Sequence, residues 1–299
     1  MQSTDYDRIE MKYRIILLIA LFTLASSCKK NERVIDDPSQ GTITIAADES
    51  FQSVTEALTS RYMALNPATK INVEIKKEDL AFLDLLENKV RAIVLSRDLT
   101  VREKKAFKDK IDLEIQPAKF AVDAVVFVVA KNSPLTSVSL EHLKSELLSD
   151  EKNIIFDGAN ASNLNFVAQK FKMLPSDLKF SVIAGNRNII QQINNYPGKI
   201  GVVSLNTLSR PYDKESEELR NSVKILGVES EGKVYSPDIT TLRNMSYPFT
   251  RVLYFITNEP YYGLGNGLIR FSCQQLGQIV VQKEGLQPYN IIPREVQMR

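Results

Sequence analysis

The sequence is poor in the residues on which hydrolytic triads and metal sites depend. Its 299 residues include one histidine, two cysteines and no tryptophan. A Ser-His-Asp triad needs a histidine as general base, and zinc sites draw on several histidines and cysteines. The single histidine, His142, lies in residues 140–144, whose pattern favours an exposed helix. We therefore predict that the chain is not an enzyme and holds no metal or cofactor.

The sequence also lacks an excess of charge of either sign. It has 38 basic and 36 acidic residues, and no run of basic residues is longer than two. Proteins that bind nucleic acid carry a basic patch or stripe that contacts the phosphate backbone. Nucleic acid is therefore not a predicted partner.

The first 27 residues have the three zones of a secretory signal peptide. A basic segment at residues 11–14 is followed by an apolar run at 15–24 and by small residues at 25–27. This apolar run is too short for a membrane-spanning helix, which needs about 20 residues. The basic segment makes Met11 a better start than Met1, so the leader is residues 1–27, or 11–27 if translation begins at Met11.

Cys28, directly after these small residues, resembles the acylated cysteine of bacterial lipoproteins. The leucine that this motif prefers three positions before the cysteine stands one position further back, at Leu24, so an ordinary signal peptide remains an alternative. Acylation of Cys28 would anchor the chain to a membrane, and the polar residues 28–40 would form a lipidated, flexible tether. No later run is apolar for long enough to span a membrane, and Cys273 would have no disulfide partner.

Strand and helix patterns alternate from Gly41 onward. The alternation in residues 42–47 and 71–75 predicts two strands, and apolar residues at helical spacing predict a helix over 51–65 between them. A helix over 80–86 and a strand over 91–95 follow. The order βαβαβ predicts a parallel sheet with helices on its faces.

The second half of the chain predicts another sheet of this type. Residues 121–130 are nearly all apolar except for Asp123, which is typical of a fully buried strand. Further strands and helices are predicted at 154–156, 164–171, 180–184, 189–194, 200–203, 223–226 and 251–257. A tight turn at 263–267 and one long helix over 267–283 complete the chain. Two such sheets imply an α/β fold with two lobes.

Several short motifs have an order and spacing that resemble the type II periplasmic binding proteins, and in particular the phosphate-binding component of bacterial phosphate ABC transporters. The resemblance extends over residues 41–292. The motifs lie at residues 42–45, 53–58, 96–100, 195–201, 247–254 and 263–267, with the buried strand around Asp123.

This resemblance implies a two-lobed α/β fold in which each lobe is a parallel-type sheet flanked by helices and two strands form the hinge. Lobe 1 would contain residues 41–119 and 228–299, and lobe 2 residues 120–227. The implied function is the capture of phosphate, or a related oxyanion, in a cleft that closes by a hinge motion. The protein would be a monomeric periplasmic lipoprotein that delivers this anion to an ABC permease in the inner membrane.

A buried oxyanion is held by N–H groups at helix N-termini, by hydroxyl donors and by arginine. The loop at residues 48–51 precedes the first helix, Arg97 follows the third strand, and the loop at 157–163 precedes a helix of lobe 2. Ligands of open α/β sheets bind where the strands end. With the resemblance, these positions predict the ligand-binding residues Asp48, Glu49, Ser50, Phe51, Arg97, Asp123, Asn160, Ser162 and Asn163.

Some of these residues have a structural alternative. Asp48 would serve as a helix N-cap with Glu49 in the first turn, and Arg97 would pair with Asp98 or Asp123. The loops also depart from the glycine-serine-threonine runs of the family, because carboxylates stand at 48–49 and residues 76–79 replace a glycine-rich loop. Carboxylates near an anion are costly. The alternative function is therefore a drifted binding protein, acting as a sensor or interaction module of the cell envelope without binding phosphate.

Overall fold

The computed structural model describes residues 37–290, which belong to one compact unit. Its first part alternates strands and helices: β1 (Gln40–Ala47), α1 (Gln52–Leu65), β2 (Ala68–Ile75), α2 (Glu78–Leu86), β3 (Ala92–Leu95) and α3 (Val101–Ile111). β1 pairs in parallel with both β2 and β3. The predicted βαβαβ order and its parallel sheet are confirmed.

Local sequence explains these elements. α1 buries Val54, Leu58 and Tyr62, which are four residues apart and therefore lie on one face of the helix. α3 begins with a capping box: Glu103 N donates to Thr100 Oγ1, and Thr100 N donates to Glu103 Oε2. Both features fix where a helix begins or packs, and so position the loops between strands and helices.

The strand β4 (Ala118–Ala130) lies at the centre of the fold and is almost fully buried, as predicted. The elements after it are β5 (Ser137–Ser139), α4 (Leu140–Glu146), β6 (Ile154–Phe156), α5 (Ser162–Lys170), β7 (Ser181–Val182), α6 (Asn186–Gln192), β8 (Ile200–Ser204), α7 (Lys214–Ser222), β9 (Val223–Ile225), β10 (Gly227–Ser230), β11 (Lys233–Tyr235), α8 (Ile239–Arg243), β12 (Thr250–Thr257), α9 (Leu264–Cys273), α10 (Gln275–Lys283) and β13 (Gln287–Pro288).

β4 connects two groups of strands. The strand order is β2-β1-β3-β12-β4-β8-β6-β7, with β9 and β13 also paired to β4. The first half of β4 pairs with β12, where Arg251 lies opposite Asp123, and the second half pairs with β8, where Ser204 lies opposite Val125. We call the part built on β1–β3 and β12 lobe 1, and the part built on β6–β8 lobe 2.

Each lobe has its own apolar core. Neighbouring residues of β1 enter different cores of lobe 1: Ile45 packs with the residues under α1 and α9, and Ala46 packs with those under α2 and α3. Because successive strand side chains point to opposite faces, the sheet of lobe 1 is covered on both faces. Lobe 2 has a core that includes Phe127, Phe156 and Ile189.

The structure corrects two predictions near the C-terminus. The helix predicted over 267–283 is two helices, α9 and α10, because Gln274 between them is extended (φ −93°, ψ 172°). The turn predicted at 263–267 is also wrong, since α9 already begins at Leu264. The carboxylate of Glu259 accepts hydrogen bonds from Gly265 N and Asn266 N and so caps this helix.

The predicted leader, Cys28 and most of the tether lie outside the described residues. The tether was predicted to extend to Gln40, but Gln40 begins β1 and the Tyr62 hydroxyl donates to the carbonyl oxygen of Pro38. Among residues 37–290, no helix is long and apolar enough to cross a membrane. His142 is exposed on α4, as predicted.

Candidate functional site

Two helices from different lobes begin at the same carboxylate. α2 begins at Glu78 and α5 at Ser162, and the first N–H groups of a helix have no acceptor within it. Glu78 N and Ser162 N both donate to Asp48 Oδ2, at 3.1 Å each. Ser50 N donates to Asp48 Oδ1 at 3.0 Å, and Asp48 is fully buried. Asp48 therefore serves as the N-cap of the turn that follows it, which was the structural alternative to a ligand role. Its carboxylate also connects the two lobes.

A buried ion pair between Arg251 and Asp123, which was not predicted from the sequence, lies beside this carboxylate. Arg251 Nε and Nη2 are 2.8 and 2.7 Å from Asp123 Oδ2, and neither side chain is exposed. Arg251 Nη1 donates to Ser162 Oγ at 3.3 Å, and its guanidinium lies 4.7 Å from the centre of the Phe51 ring. Arg251 is the single charge in the apolar strand β12, and Asp123 is the single charge in residues 121–130 of β4. Two isolated charges of opposite sign in apolar strands were the feature of the sequence that could have indicated this ion pair.

Asp123 is fully engaged by the protein. Besides Arg251, its carboxylate accepts hydrogen bonds from Ser204 Oγ at 2.8 Å and from Asn206 N at 3.0 Å. A carboxylate with these partners holds the arginine in place and fixes its direction. Its predicted contact with a ligand stays a prediction, and the geometry favours a role through Arg251.

Hydroxyl and amide groups surround the same point. Ser96 Oγ and Ser162 Oγ are 3.0 Å apart, and both residues are buried. Asn186 Nδ2 lies 3.4 Å from Ser50 Oγ, and Asn163 Nδ2 donates to Asn186 Oδ1 at 2.8 Å. The structure therefore brings the predicted residues Ser50, Ser162 and Asn163 together. It adds Asn186 and also Ser96, which lies in the motif at residues 96–100 but was not among the predicted ligand residues.

Arg97 is held by carboxylates on three sides. Its Nε donates to Glu78 Oε1 at 2.7 Å, and its Nη atoms donate to both oxygens of Glu103, to Asp79 Oδ1 and to the carbonyl of Asp98. A guanidinium has five N–H donors, and these contacts account for all five. The ligand role of Arg97 stays a prediction, and a ligand would have to replace one of these acceptors.

The remaining predicted residues lie at the margin of the cleft. Asn186 N donates to Glu49 Oε1 at 3.0 Å, which joins Glu49 of lobe 1 to the start of α6. Gly185 permits this approach, because it has a φ of +91° and a Cβ there would be 3.1 Å from both carboxylate oxygens. Asn160 is exposed, and its carbonyl accepts a hydrogen bond from Asp79 N at 3.3 Å.

Buried carboxylates give the cleft its electrostatic character. Burial raises the pKa of Glu78, although the charge of Arg97 opposes this, and burial likewise raises the pKa of Asp79. Burial and then the charge of Asp48 raise the pKa of Asp157 to about 6, against the effect of Lys77, whose Nζ is 2.7 Å from Asp157 Oδ2. The site thus combines anion donors with acids that hold protons more tightly than usual.

The arrangement is suited to binding and not to a covalent reaction. Within residues 37–290, no group of three or more histidine, cysteine or acidic side chains is placed to hold a metal ion. Burial raises the pKa of the Cys273 thiol to about 11, which keeps it protonated and a poor nucleophile. A groove of about 590 Å³ on another face, between Phe107, Pro117 and Tyr261, contains none of the predicted ligand residues.

Comparison with known proteins agrees with this geometry. The family model of the PBP superfamily domain matches residues 34–275. The phosphate-binding protein PstS of Borreliella burgdorferi is 24% identical over 299 residues, which cover 92% of this chain and 98% of that protein. This relative is named as a binding protein and not as an enzyme, in agreement with the prediction for this chain.

Two solved structures share the fold. A phosphate ABC transporter substrate-binding protein from Clostridium perfringens, with bound phosphate, superposes with a TM-score of 0.68 at 18% identity, covering 84% of this chain and 100% of the other. An ABC-type phosphate transport receptor from Vibrio cholerae gives 0.64 at 16% identity, covering 82% and 99%. These confirm the predicted two-lobed α/β fold. The chain therefore belongs to the PBP superfamily.

Proposed function

We propose that this chain is a substrate-binding lipoprotein of the bacterial cell envelope, which captures phosphate or a related oxyanion between its lobes and delivers it to an ABC permease. One observation carries the proposal. The N–H groups that begin α2 and α5 converge on one oxygen atom, at 3.1 Å from each side. Helix N-termini favour negative charge, and an anion that accepts N–H groups from both lobes would hold the lobes together.

The donors around this point match the needs of a small tetrahedral anion. The hydroxyls of Ser50, Ser96 and Ser162 lie in the cleft and are buried. Arg251 Nη1 reaches Ser162 and supplies a positive charge. The cleft also contains the carboxylates of Glu78 and Asp157, and an ionised carboxylate can accept the proton of a monohydrogen phosphate. Sulfate, which has no proton to share at neutral pH, would be rejected by the same carboxylates.

The packing bears on where the chain returns from lobe 2 to lobe 1. The predicted return near residue 228 stays untested. Val228, Leu242 and Phe249 belong to the core of lobe 2, and β12 is the next element paired with β3 of lobe 1. We therefore propose a return near residue 250 in place of 228, and a first crossing inside β4 between Ala124 and Val125 in place of one between residues 119 and 120.

The location of the protein rests on the sequence. Cleavage before Cys28 and its acylation would tether a monomer to a membrane on the periplasmic side, with delivery to a permease in the inner membrane. The relatives from Borreliella burgdorferi and Vibrio cholerae are named as phosphate-binding and phosphate-transport proteins. Their names agree with the proposed delivery of phosphate to an ABC permease.

A second candidate function is favoured by the carboxylates. Asp48, Glu78 and Asp157 are all buried at the cleft, and the N–H groups that would hold an anion already hold Asp48. A dianion placed among carboxylates in a region of low dielectric is repelled strongly. On this reading the chain has drifted from phosphate and serves as a sensor or interaction module of the cell envelope.

Titration calorimetry with phosphate and sulfate, on the purified protein and two variants of Ser162, separates the candidates. Ser162→Ala keeps the N–H and loses the hydroxyl. Ser162→Pro loses both, at the first helical position, where proline is best tolerated; Ala161 before it is extended (φ −86°, ψ 150°). We expect phosphate to bind and sulfate not to. Affinity should fall about tenfold in Ser162→Ala and at least tenfold further in Ser162→Pro.

Two results would count against the first candidate. No heat with either anion would favour the drifted sensor. Equal phosphate affinities for Ser162→Ala and Ser162→Pro would show that the anion does not use the start of α5.

A further inference from the structure

The position of Asp48 has a feature that its role as a helix cap does not require. Capping of the turn Glu49–Phe51 uses only Oδ1, which accepts from Ser50 N. Oδ2 takes no part in this capping. It accepts hydrogen bonds from Glu78 N in lobe 1 and from Ser162 N in lobe 2. One side-chain oxygen of lobe 1 therefore takes the place that an oxyanion would occupy between the two helix starts.

Other contacts across the cleft are also made by the chain itself. Lys77 Nζ lies 2.7 Å from Asp157 Oδ2, and Asn165 Nδ2 donates to Asp79 Oδ1 at 2.8 Å. Further from the centre, Gln169 Nε2 donates to the carbonyl of Asp98 at 2.9 Å, and Asp98 N donates back to Gln169 Oε1 at 3.0 Å. The chain thus makes hydrogen bonds of its own between the lobes, and these hold in the absence of a solute.

Asp48 differs from these other contacts because its buried carboxylate accepts a backbone N–H group from each lobe. It is fully buried, and hydrogen bonds to a charged acceptor are about twice as strong as those between neutral groups. Opening the lobes would remove Ser162 N from the carboxylate. Ser162 N would then be without its protein acceptor.

We propose that Asp48 is an internal occupant of the anion site: its carboxylate holds the lobes closed in the absence of solute, and an incoming anion has to displace it. The part of this inference that concerns phosphate rests on the proposed function, whereas the closed state without solute does not. Because the anion competes with Asp48 for the same N–H groups, the apparent affinity is set by the difference between two occupants.

The test measures the distance between the lobes by electron–electron resonance of two spin labels. The labels are placed at Lys105 in lobe 1 and Ser176 in lobe 2, both exposed, in a protein whose native cysteines are replaced by serine. Wild type is compared with Asp48→Ala. Asp238→Ala is the control, because Asp238 is also an N-cap aspartate, of the exposed helix α8, and accepts from Thr240 N and Thr241 N.

Without any anion, wild type and Asp238→Ala should show the short distance of the closed form, and Asp48→Ala should shift to a longer one. Inorganic phosphate should then restore the short distance in Asp48→Ala. By calorimetry, the dissociation constant of Asp48→Ala for phosphate should be about tenfold or more below that of wild type. If Asp48→Ala does not fold, Ser162→Pro removes the other partner of the same contact and should open in the same way.

The other possible results separate the inference about Asp48 from the proposed capture of phosphate. A wild type that is open without anion, or an Asp48→Ala that stays closed, would overturn the inference. Phosphate that binds wild type as tightly as Asp48→Ala would also overturn it, while leaving the proposed function intact. If Asp48→Ala opens but phosphate neither binds nor closes it, the internal occupant stands and phosphate capture is wrong.

Discussion

Single buried charges determine what the cleft can accept. Asp48, Glu78 and Asp157 are each less than 2% exposed; Asp157 pairs with Lys77 and Glu78 pairs with Arg97. Removing one partner of a buried ion pair leaves an uncompensated charge and costs more than the pair itself contributes. A carboxylate without full compensation reduces this cost by binding a proton. The acidity of each of these carboxyl groups therefore depends on its burial and on its charged neighbours.

Asp157 gives a prediction about pH. Burial, and then the charge of Asp48, raise its pKa from 3.8 to about 6, a difference of roughly 3 kcal/mol between its two protonation states. The folded protein holds this proton more tightly than the unfolded chain. The stabilisation from Asp157 is therefore fully present below about pH 4 and is lost as the pH rises through about 6.

Thermal unfolding of wild type and Asp157→Asn at a series of pH values measures this effect. The Tm of wild type minus that of Asp157→Asn should fall by several degrees between about pH 4 and pH 7. The ion pair with Lys77 exists only while Asp157 is ionised, and its effect is already contained in the pKa of about 6, so its loss does not reverse this trend. Parallel curves for the two proteins would contradict the assignment.

At the scale of helices and strands, periodicity predicted the interiors of elements and missed their first turns. α2 begins at Glu78 and α5 at Ser162, two residues before the positions predicted from the apolar pattern. First-turn residues are polar and contribute nothing to a helical hydrophobic period. The donors of the site are the N–H groups of these first turns, so the positions that matter most for binding are those with the weakest periodic signal.

The break between α9 and α10 was missed for a related reason. Apolar residues continue at helical spacing across Gln274, so the pattern carries no sign of a stop. At the break, Gly277 allows the start of α10 to approach the end of α9 closely. A Cβ at Gly277 would lie 2.3 Å from the carbonyl oxygen of Phe271 and 2.6 Å from Ser272 Cα.

Gly277→Ala should therefore destabilise the protein, because the contact is with backbone and no side chain can rotate away. We expect the free energy of unfolding in urea to fall by roughly 1–3 kcal/mol. Gln282→Ala, at an exposed position of the same helix, should change it by less than about 0.5 kcal/mol. Equal stability of Gly277→Ala and wild type would show that α9 and α10 can separate at little cost.

At the scale of the whole molecule, the function depends on contacts between residues far apart in sequence. Arg251 and Asp123 are 128 residues apart, and Asp48 and Ser162 are 114 apart. The sequence and its resemblance predicted the two lobes, and most of the residues predicted to bind a ligand lie at the cleft in the structure. The identity of the group at the centre of the cleft did not, because it depends on how the lobes close and not on any local pattern.

The most direct test of an anion site between the lobes is to follow the backbone amides of Glu78 and Ser162 by NMR during titration with phosphate. Both N–H groups donate to Asp48 in the structure. We expect these two amide resonances to shift together and to be among the most strongly affected, as phosphate replaces the carboxylate as acceptor. Phosphate binding that leaves both resonances unchanged, or affects only one lobe, would contradict the account.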